Sequence, residues 1–136
     1  MFYQDDKSIA DDEALWRRIP QDQVVKDDSG CWRPSTKAFQ NSSEEYHKSI
    51  MEPLGYTHEP GMSADIASET TVENMLNGNP ACFLIAFAAG FVREQHQVVI
   101  RTALPDDPAH IEVMGKKTKG VKKQFVKNCK WVKSPD

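Results

Sequence analysis

The sequence predicts an α+β domain in which a small antiparallel sheet is covered by two or three helices. Two segments, 98–104 and 110–114, are rich in β-branched or alternating apolar residues, which is typical of paired strands. A lysine-rich segment near the C-terminus repeats its apolar residues at helical spacing, which is typical of a surface helix. The length of 136 residues fits one compact domain. We expect this domain to cover 14–136, behind a polar and flexible segment at 1–13.

The first half of the chain carries weak patterns. We predict a short strand at 23–26, because a pair of valines there is followed by a turn sequence at 27–30. Residues 40–61 are rich in Ser, Glu, Gly and Pro, and we expect an irregular loop with one helical turn near 44–50. A loop of this length in a small domain is usually functional or mobile. The segment 62–66 is predicted to return to the sheet as a strand.

The middle of the chain is predicted to be helical. A capping box at 70–73 indicates a short helix. Asn79 as an N-cap and Pro80 at the first helical position then indicate a second helix. Apolar residues between 81 and 92 recur at helical spacing, so we expect this second helix to continue to about Gln95 and to pack centrally.

The C-terminal third is predicted to form a hairpin followed by a helix. The strand that contains 98–100 is expected to pair antiparallel with 110–114 across a turn of sequence Pro-Asp-Asp-Pro. The helix follows Gly115 and places its lysines opposite an apolar stripe. This stripe consists of Val121, Phe125, Cys129 and Val132.

Composition excludes several classes of protein. Hydrophobic residues make up 39% of the chain and charged residues 27%, which is too apolar for a disordered chain and too polar for a membrane protein. The longest apolar stretch, 81–92, is shorter than the roughly 18 residues that a transmembrane helix requires. The acidic start of the chain does not fit a secretory signal. Because the 3 cysteines are odd in number and far apart, we predict a reducing cytoplasm rather than a disulfide framework.

Charge is distributed unevenly along the chain. Residues 113–136 carry eight lysines and one acid, although the whole chain has a net charge of -3. A solvated lysine face and a surface that contacts an acidic partner or phosphate both fit this pattern. Nucleic-acid contact is expected to be weak, because the sequence pI is about 5.8 and few aromatic residues accompany the lysines. The lysines predicted to make a partner or phosphate contact are Lys119, Lys122, Lys123, Lys127 and Lys130.

Three arginines and a histidine form the best candidate for a ligand site. Arg17, Arg18 and Arg33 lie close together in sequence and beside two tryptophans. Guanidinium groups bind carboxylates and phosphates through paired hydrogen bonds. Ser35 and His110 complete the predicted anion pocket, in which His110 is the candidate general acid or base. The alternative is that the tryptophans belong to the core and the arginines neutralise nearby aspartates.

No short catalytic motif is present in the sequence. We find no glycine-rich phosphate loop, no paired-cysteine zinc motif, and no motif of the zinc proteases or α/β-hydrolases. Metal sites are usually seeded by ligands that lie close together in sequence. The histidines are well separated, and no cysteine lies within four residues of any of them, so we predict no metal site and no cofactor. They are His47, His58, His96 and His110.

Three functions fit these observations. The first is a small cytoplasmic binding or accessory module that acts on a protein partner through the lysine face or the 40–61 loop. The second is an enzyme or binding protein for a phosphorylated or nucleotide ligand held in the Arg/His pocket. The third is an immunity or inhibitor protein whose acidic surface, including Asp27 and Asp28, caps a basic toxin or nuclease. The absence of a catalytic motif favours the first, and the oligomeric state is left open.

Overall fold

A sheet of six antiparallel strands and a separate two-stranded hairpin organise the chain in the computed structural model, which describes residues 3–135. The strands are β1 (Ala14–Ile19), β2 (Val24–Lys26), β3 (Trp32–Pro34), β4 (Met62–Ile66), β5 (Phe83–Ala88), β6 (Val98–Arg101), β7 (His110–Met114) and β8 (Lys130–Lys133). β2 and β3 form the hairpin, and the main sheet has the order β6-β7-β4-β1-β5-β8. Strands β4 and β1 therefore occupy its centre.

Short helices connect the strands. The α-helices are α1 (Glu44–Tyr46), α2 (Val72–Leu76), α3 (Ala89–Glu94) and α4 (Lys119–Asn128). A π-helix covers His47–Met51, and 3₁₀ helices cover Gln21–Gln23, Thr36–Ala38, Glu52–Leu54 and Ala67–Glu69. The predicted α+β class is confirmed for one compact domain, but four short α-helices replace the two or three that we expected to cover the sheet. Within residues 3–135, no helix has the length and apolar composition needed to cross a bilayer.

One face of the main sheet packs on an aromatic cluster centred on Phe125 of α4. The centroid of its ring lies 5.2 Å from that of Phe39, 5.0 Å from that of Phe87 and 5.2 Å from that of Phe91. Phe125 and Phe39 are fully buried. Aromatic pairs at these separations add to the free energy gained by burying their apolar area. The predicted amphipathic helix is confirmed over Lys119–Asn128, and its apolar side meets the sheet at this cluster. Of the predicted stripe, Cys129 caps the helix and Val132 lies in β8, so these two are not helical.

Strand β1 combines apolar and charged residues. It pairs with β5 along its whole length and with β4 over Leu15 and Trp16. Leu15 and Ile19 are fully buried in the core cluster that also contains Phe125. Because side chains alternate between the two faces of a strand, Arg18 lies on the opposite face of the sheet. The two adjacent arginines interrupt the apolar pattern, and this is why the segment was not predicted to be a strand.

The predicted helix from Asn79 to about Gln95 is wrong. Phe83–Ala88 forms the strand β5, and only Ala89–Glu94 is helical. Leu84 and its neighbour in β5 are both fully buried, so the strand is covered on both faces. A strand covered on both faces has a continuous apolar sequence, which periodicity alone cannot distinguish from a buried helix. The other predicted strands and the hairpin of β6 and β7 are confirmed.

The N-terminal segment lies along the outer edge of β6. The backbone amide of Asp6 donates to the carbonyl of Val99 at 2.7 Å, and the amide of Val99 donates to the Asp5 carboxylate at 2.9 Å. Arg93 of α3 pairs with Asp5 at 3.0 Å, and Ile9 is buried in the core. These contacts cover backbone groups that an edge strand would otherwise expose. The predicted flexibility of 1–13 stays a prediction, and its first two residues lie outside the described part.

The predicted loop at 40–61 contains more helix than the sequence indicated. The α-helix α1, the π-helix and a 3₁₀ helix follow one another without a break from Glu44 to Leu54. Ser43 caps the start of this run, because its hydroxyl accepts from the amide of Tyr46 at 3.1 Å. The left-handed Gly55 ends it. This helical run covers the face of the sheet opposite the aromatic cluster, where it borders the polar groups described below.

The aromatic cluster predicts a large effect of a single core substitution. We expect Phe125→Ala to reduce the free energy of unfolding by about 3 to 5 kcal/mol, because it removes a fully buried ring and its three aromatic contacts. Val72→Ala, at an exposed position, is the control and should change it by about 0.5 kcal/mol or less. Urea denaturation at neutral pH measures both. Equal effects of the two substitutions would contradict this account of the core.

Candidate functional site

A pocket of about 640 Å³ opens on the face of the sheet opposite the aromatic cluster. Its floor is formed by β1, β4 and β7, and its walls are α2, the segment before α1 and the turn that precedes β7. Asp65 of β4 pairs in register with Trp16 of β1 and with His110 of β7. Residues that face each other across neighbouring strands point to the same side of a sheet. The sheet therefore gathers Asp65, His110 and Arg18 on one surface.

The two predicted arginines of β1 both border this pocket, but from opposite faces of the strand: Arg18 lies on the pocket face, and Arg17 lies on the face that carries Leu15. Arg17 donates from Nε to the carbonyl of Ala38 at 2.7 Å and from Nη1 to the carbonyl of Ser63 at 2.6 Å. Burial lowers the pKa of Arg17 to about 10, which still leaves it cationic at neutral pH. Arg18 is more exposed and donates one hydrogen bond, from Nη1 to the carbonyl of Met75 in α2 at 2.9 Å. Arg18 therefore keeps guanidinium donors for a ligand.

A carboxyl pair lies at the other side of the pocket. Asp65 is buried, and its carboxyl group shares a hydrogen bond with that of Asp107 in the turn before β7. Burial raises the pKa of Asp65 to about 8, and the hydrogen bond and negative charge of Asp107 act in the same direction. Two adjacent carboxylates avoid being charged together, so the pair retains one proton at neutral pH. Asp65 thus donates its one proton to Asp107 in the floor of the pocket.

The tautomer of His110 follows from its surroundings. Its Nδ1 lies 2.9 Å from the carbonyl oxygen of Thr102 and 3.0 Å from the hydroxyl of the same residue. A carbonyl oxygen only accepts, so Nδ1 carries the proton. Nε2 is left with a lone pair and has no hydrogen-bond partner among residues 3–135. Burial lowers the pKa of His110, which keeps the ring neutral and an acceptor at neutral pH.

The remaining members of the predicted anion pocket lie elsewhere. Arg33 is exposed on β3, in the separate hairpin, and it does not line the pocket. Ser35 caps the 3₁₀ helix that follows, because its hydroxyl accepts from the amide of Lys37 at 3.2 Å. The structure therefore brings together Arg17, Arg18 and His110 and separates them from Arg33 and Ser35.

Two members of the pocket, Asp65 and Asp107, were missed by sequence reasoning. One signal was present: Asp65 is an acid inside a segment predicted to be a buried strand, where an unpaired charge is rarely tolerated. Asp107 lies in a turn motif, where aspartate is common because its side chain bonds the nearby backbone. Its presence there therefore did not indicate a functional site. Their contact joins residues 42 positions apart in sequence.

No protein-family model, curated protein or solved structure matches this chain. The chemistry of the pocket residues is therefore the basis on which function is inferred. The pocket offers cationic donors on Arg18, a carboxyl pair of Asp65 and Asp107 that shares one proton, and an acceptor on His110. It also carries carboxylates at its mouth, where Glu69 and Asp106 line it.

A second polar cluster lies on the same face of the sheet. His58 Nε2 is 2.8 Å from Glu112 Oε1, and the backbone amide of Gly61 donates to Glu112 Oε2 at 3.0 Å. His47 completes the cluster, with its ring centroid 5.2 Å from that of His58. His47, His58 and Glu112 are all buried, and their potential ligand atoms lie within 4.8 Å of one another. No sequence pattern indicated this cluster, because its members are 11 and 54 residues apart.

The five lysines predicted to contact a partner lie on α4 and at the first residue of β8. Lys122 is half-buried and the others are exposed, and no described acid pairs with any of the five. Lys117 differs, because its ammonium group donates to the carbonyls of Val113 and Gly115 and to the Asn41 side chain. Burial lowers the pKa of Lys117 to about 7. Lys117 is therefore fixed in the fold, whereas the five predicted lysines are available for contact.

Of the two aspartates predicted to form the acidic surface of an inhibitor, Asp27 is engaged in hydrogen bonds within its own turn. The carboxylate of Asp27 accepts from the amide and hydroxyl of Ser29 and from the amide of Cys31, at 2.6 to 3.0 Å. These hydrogen bonds, from Ser29 foremost, hold the pKa of Asp27 below its ordinary value. Asp28 is exposed beside it. The inhibitor function stays a prediction that rests on Asp28 more than on Asp27.

Replacing Asp65 by asparagine is expected to change how stability depends on pH. The folded state keeps the Asp65 proton up to about pH 8, whereas the unfolded state loses it near the ordinary value of 3.8. Between these values the unfolded state binds fewer protons, so this group makes the wild type lose stability as the pH rises. Asp65→Asn should therefore gain stability relative to the wild type over this range, by up to about 1.4 kcal/mol per pH unit.

Urea denaturation at several pH values between about 5 and 8 measures this difference. Asp28→Asn is the matched control, because it removes an exposed carboxyl group outside the pocket. Its curve should run parallel to that of the wild type. A parallel curve for Asp65→Asn as well would show that Asp65 is ionised in the folded state.

Proposed function

We propose that this protein binds a small polar ligand with an anionic group in the pocket formed by β1, β4 and β7. The observation that carries this proposal is the convergence of Arg18, Asp65 and His110 from three different strands in one concavity, with Arg17 behind them on the other face of β1. Its volume of about 640 Å³ is in the range of small-molecule sites, roughly 300 to 1,000 Å³. The pocket also contains Asp65, a carboxyl group with a strongly raised pKa. Ionisable groups with perturbed pKa values in a cleft are typical of functional sites.

The distribution of charge indicates how the ligand is oriented. Arg18 reaches across the pocket toward α2 and has unused donors, so it is the group that receives a phosphate or carboxylate. Arg17 is held by two backbone carbonyls on the other face of β1, and from there it adds positive charge to the floor of the pocket. The carboxylate of Asp106, at the mouth, accepts from hydroxyl or amine donors on the same ligand, whereas Glu69 beside it is held by Arg101 through both oxygens. A sugar phosphate, a nucleotide or an amino acid has this combination.

Arg18→Ala is expected to weaken ligand binding by about tenfold or more, because a hydrogen bond to a charged group contributes about 1.5 to 3 kcal/mol. The measurement is a thermal-shift screen of the wild type with inorganic phosphate, nucleotides, sugar phosphates and amino acids, followed by titration of the best ligand. Arg33→Ala is the matched control, since Arg33 lies outside the pocket, and it should leave binding unchanged.

Two outcomes would overturn the proposal. One is that no compound in these classes stabilises the wild type, since a ligand at 100 times its dissociation constant stabilises a protein by about 2.7 kcal/mol. The other is that Arg18→Ala and Arg33→Ala weaken binding equally.

We further propose that the protein contacts an acidic protein partner through the exposed lysines of α4, in a reducing cytoplasm. Lys119, Lys123 and Lys127 are exposed on one helix and have no acidic partner among the described residues. Unpaired charges of one sign attract a surface of the opposite sign and speed association. The location is supported by Cys31, a free and exposed thiol.

Charge reversal tests the partner proposal. Replacing Lys119, Lys123 and Lys127 by glutamate should abolish binding to a purified acidic partner, and raising salt should weaken binding of the wild type. Lys48, exposed on the π-helix, gives a control substitution, Lys48→Glu, that should leave binding unchanged. If short nucleic acids bind with the same salt dependence, the ligand of these lysines is a phosphate backbone and not an acidic protein.

A further inference from the structure

We infer that His47, His58 and Glu112 form a binding site for a divalent transition-metal ion, with zinc as the best fit. The cluster lies beside the pocket and shares no residue with it, so the inference does not depend on the proposed ligand. It rests on two independent observations. Three potential ligand atoms converge, and one of the three side chains is buried without a hydrogen-bond partner.

The convergence brings together donors of suitable chemistry. Each residue offers one ligand atom, two imidazole nitrogens and a carboxylate oxygen, and these atoms lie within 4.8 Å of one another. Two histidines and a glutamate are an established ligand set for zinc, which binds them at roughly 2.0 to 2.2 Å. Three protein ligands leave one of the four positions of zinc for water.

His47 gives the second observation. It is 2% exposed, and neither Nδ1 nor Nε2 has a hydrogen-bond partner among residues 3–135. A neutral imidazole carries one donor and one acceptor, and burying both without partners costs free energy. A metal ion bound by one nitrogen satisfies that nitrogen directly. The polar ring of His47 at a buried position is thereby accounted for.

The backbone around the cluster positions its members. His47 begins the π-helix, and a π-helical turn is an irregularity that is frequently found at functional sites. Gly61 allows the chain to pass close to β7, since a Cβ at this position would contact the side chains of Met114 and Glu112. That close approach places the amide of Gly61 on Glu112 Oε2 and leaves Oε1 for His58 and the metal.

Metal binding requires a small rearrangement of the His58–Glu112 pair. Their N···O distance is 2.8 Å, whereas two ligand atoms of a tetrahedral zinc ion are roughly 3.3 to 3.5 Å apart. The proton that joins His58 Nε2 to Glu112 leaves as the ion takes its place, and Nδ1 of the same ring carries the proton of the bound, neutral imidazole. His58 also lines a surface depression of about 410 Å³, which gives the ion a path to the cluster.

Titration of the metal-free full-length chain with Zn²⁺ tests the site. After treatment with a chelator, the wild type should bind one Zn²⁺ per chain with a dissociation constant below about 1 μM. At a free Zn²⁺ concentration 100 times the dissociation constant, the temperature at which half of the wild type is unfolded should rise by about 5 °C or more. Co²⁺ in place of Zn²⁺ should give the intense visible absorption of four-coordinate cobalt, which ions on the surface do not show.

The decisive variant is His47→Leu. Leucine fills the space of the imidazole and removes two unpartnered polar atoms, so the metal-free variant should unfold at the same temperature as the wild type or higher. Its affinity for Zn²⁺ should fall by at least about 100-fold, because even the loss of an outer partner of a ligand costs about 10- to 100-fold. The lost affinity is the readout that separates a metal ligand from a histidine that only fills space, and the retained stability shows that the loss is not caused by unfolding.

Two further variants complete the test. Glu112→Gln keeps the shape and the contact with Gly61 but removes the carboxylate, and it should lose Zn²⁺ affinity to a similar extent. His96→Asn is the control: His96 is exposed at a backbone φ of 60°, a conformation that asparagine tolerates, and its loss should leave binding unchanged.

The result that overturns the inference is a wild type that binds no Zn²⁺ at this affinity, or a His47→Leu variant that binds it as the wild type does. If His47→Leu and Glu112→Gln both fail to fold, NMR of the histidine side chains of the wild type decides whether the site exists. Zn²⁺ should then shift the signals of two buried histidines and leave that of His96 unchanged, and a shift of His96 alone would show surface binding only.

Discussion

The burial of Leu15 and Ile19 fixes the register of the central strand, and the polar face of the sheet depends on that register. A slip of one residue would turn these side chains to the opposite face and bring Arg18 into the aromatic core. With the register fixed, β4 and β7 follow through their paired residues, and Asp65 and His110 come to face the same side as Arg18. The hydrophobic effect on one face thus positions charged groups on the other, although it has no direct interaction with them.

The elements that sequence analysis predicted correctly are those with local signals. The hairpin of β6 and β7 has β-branched strands and a proline-rich turn, and α4 has a clear apolar stripe. β1 was missed because its adjacent arginines interrupt the apolar pattern. β5 was missed because a strand covered on both faces has a continuous apolar sequence, which periodicity cannot distinguish from a buried helix. Arg17, Arg18 and His110 were recognised by residue type. Asp65 and the cluster of His47 were not, because contacts between residues distant in sequence create them.

The two polar sites handle buried charge in different ways. In the pocket, Asp65 keeps its proton, and the pair with Asp107 therefore carries one negative charge instead of two. In the His/Glu cluster, Glu112 is almost fully enclosed and is held by an imidazole and a backbone amide. His110 and Glu112 lie two residues apart on β7, so one strand contributes to both sites. A change in the twist or position of β7 would alter both sites together.

The docking of the N-terminal segment on β6 has a consequence for self-association. A sheet with two free edges can add a strand at each end and grow without limit, as in fibrils. Here the segment around Asp5 and Asp6 occupies hydrogen-bonding groups at one edge, while β8 is bonded to a single neighbour at the other. A strand that adds at β6 must first displace the N-terminal segment from Val99, whereas a strand that adds at β8 displaces no strand of the described residues. Any edge-to-edge association of this fold therefore begins more readily at β8 than at β6.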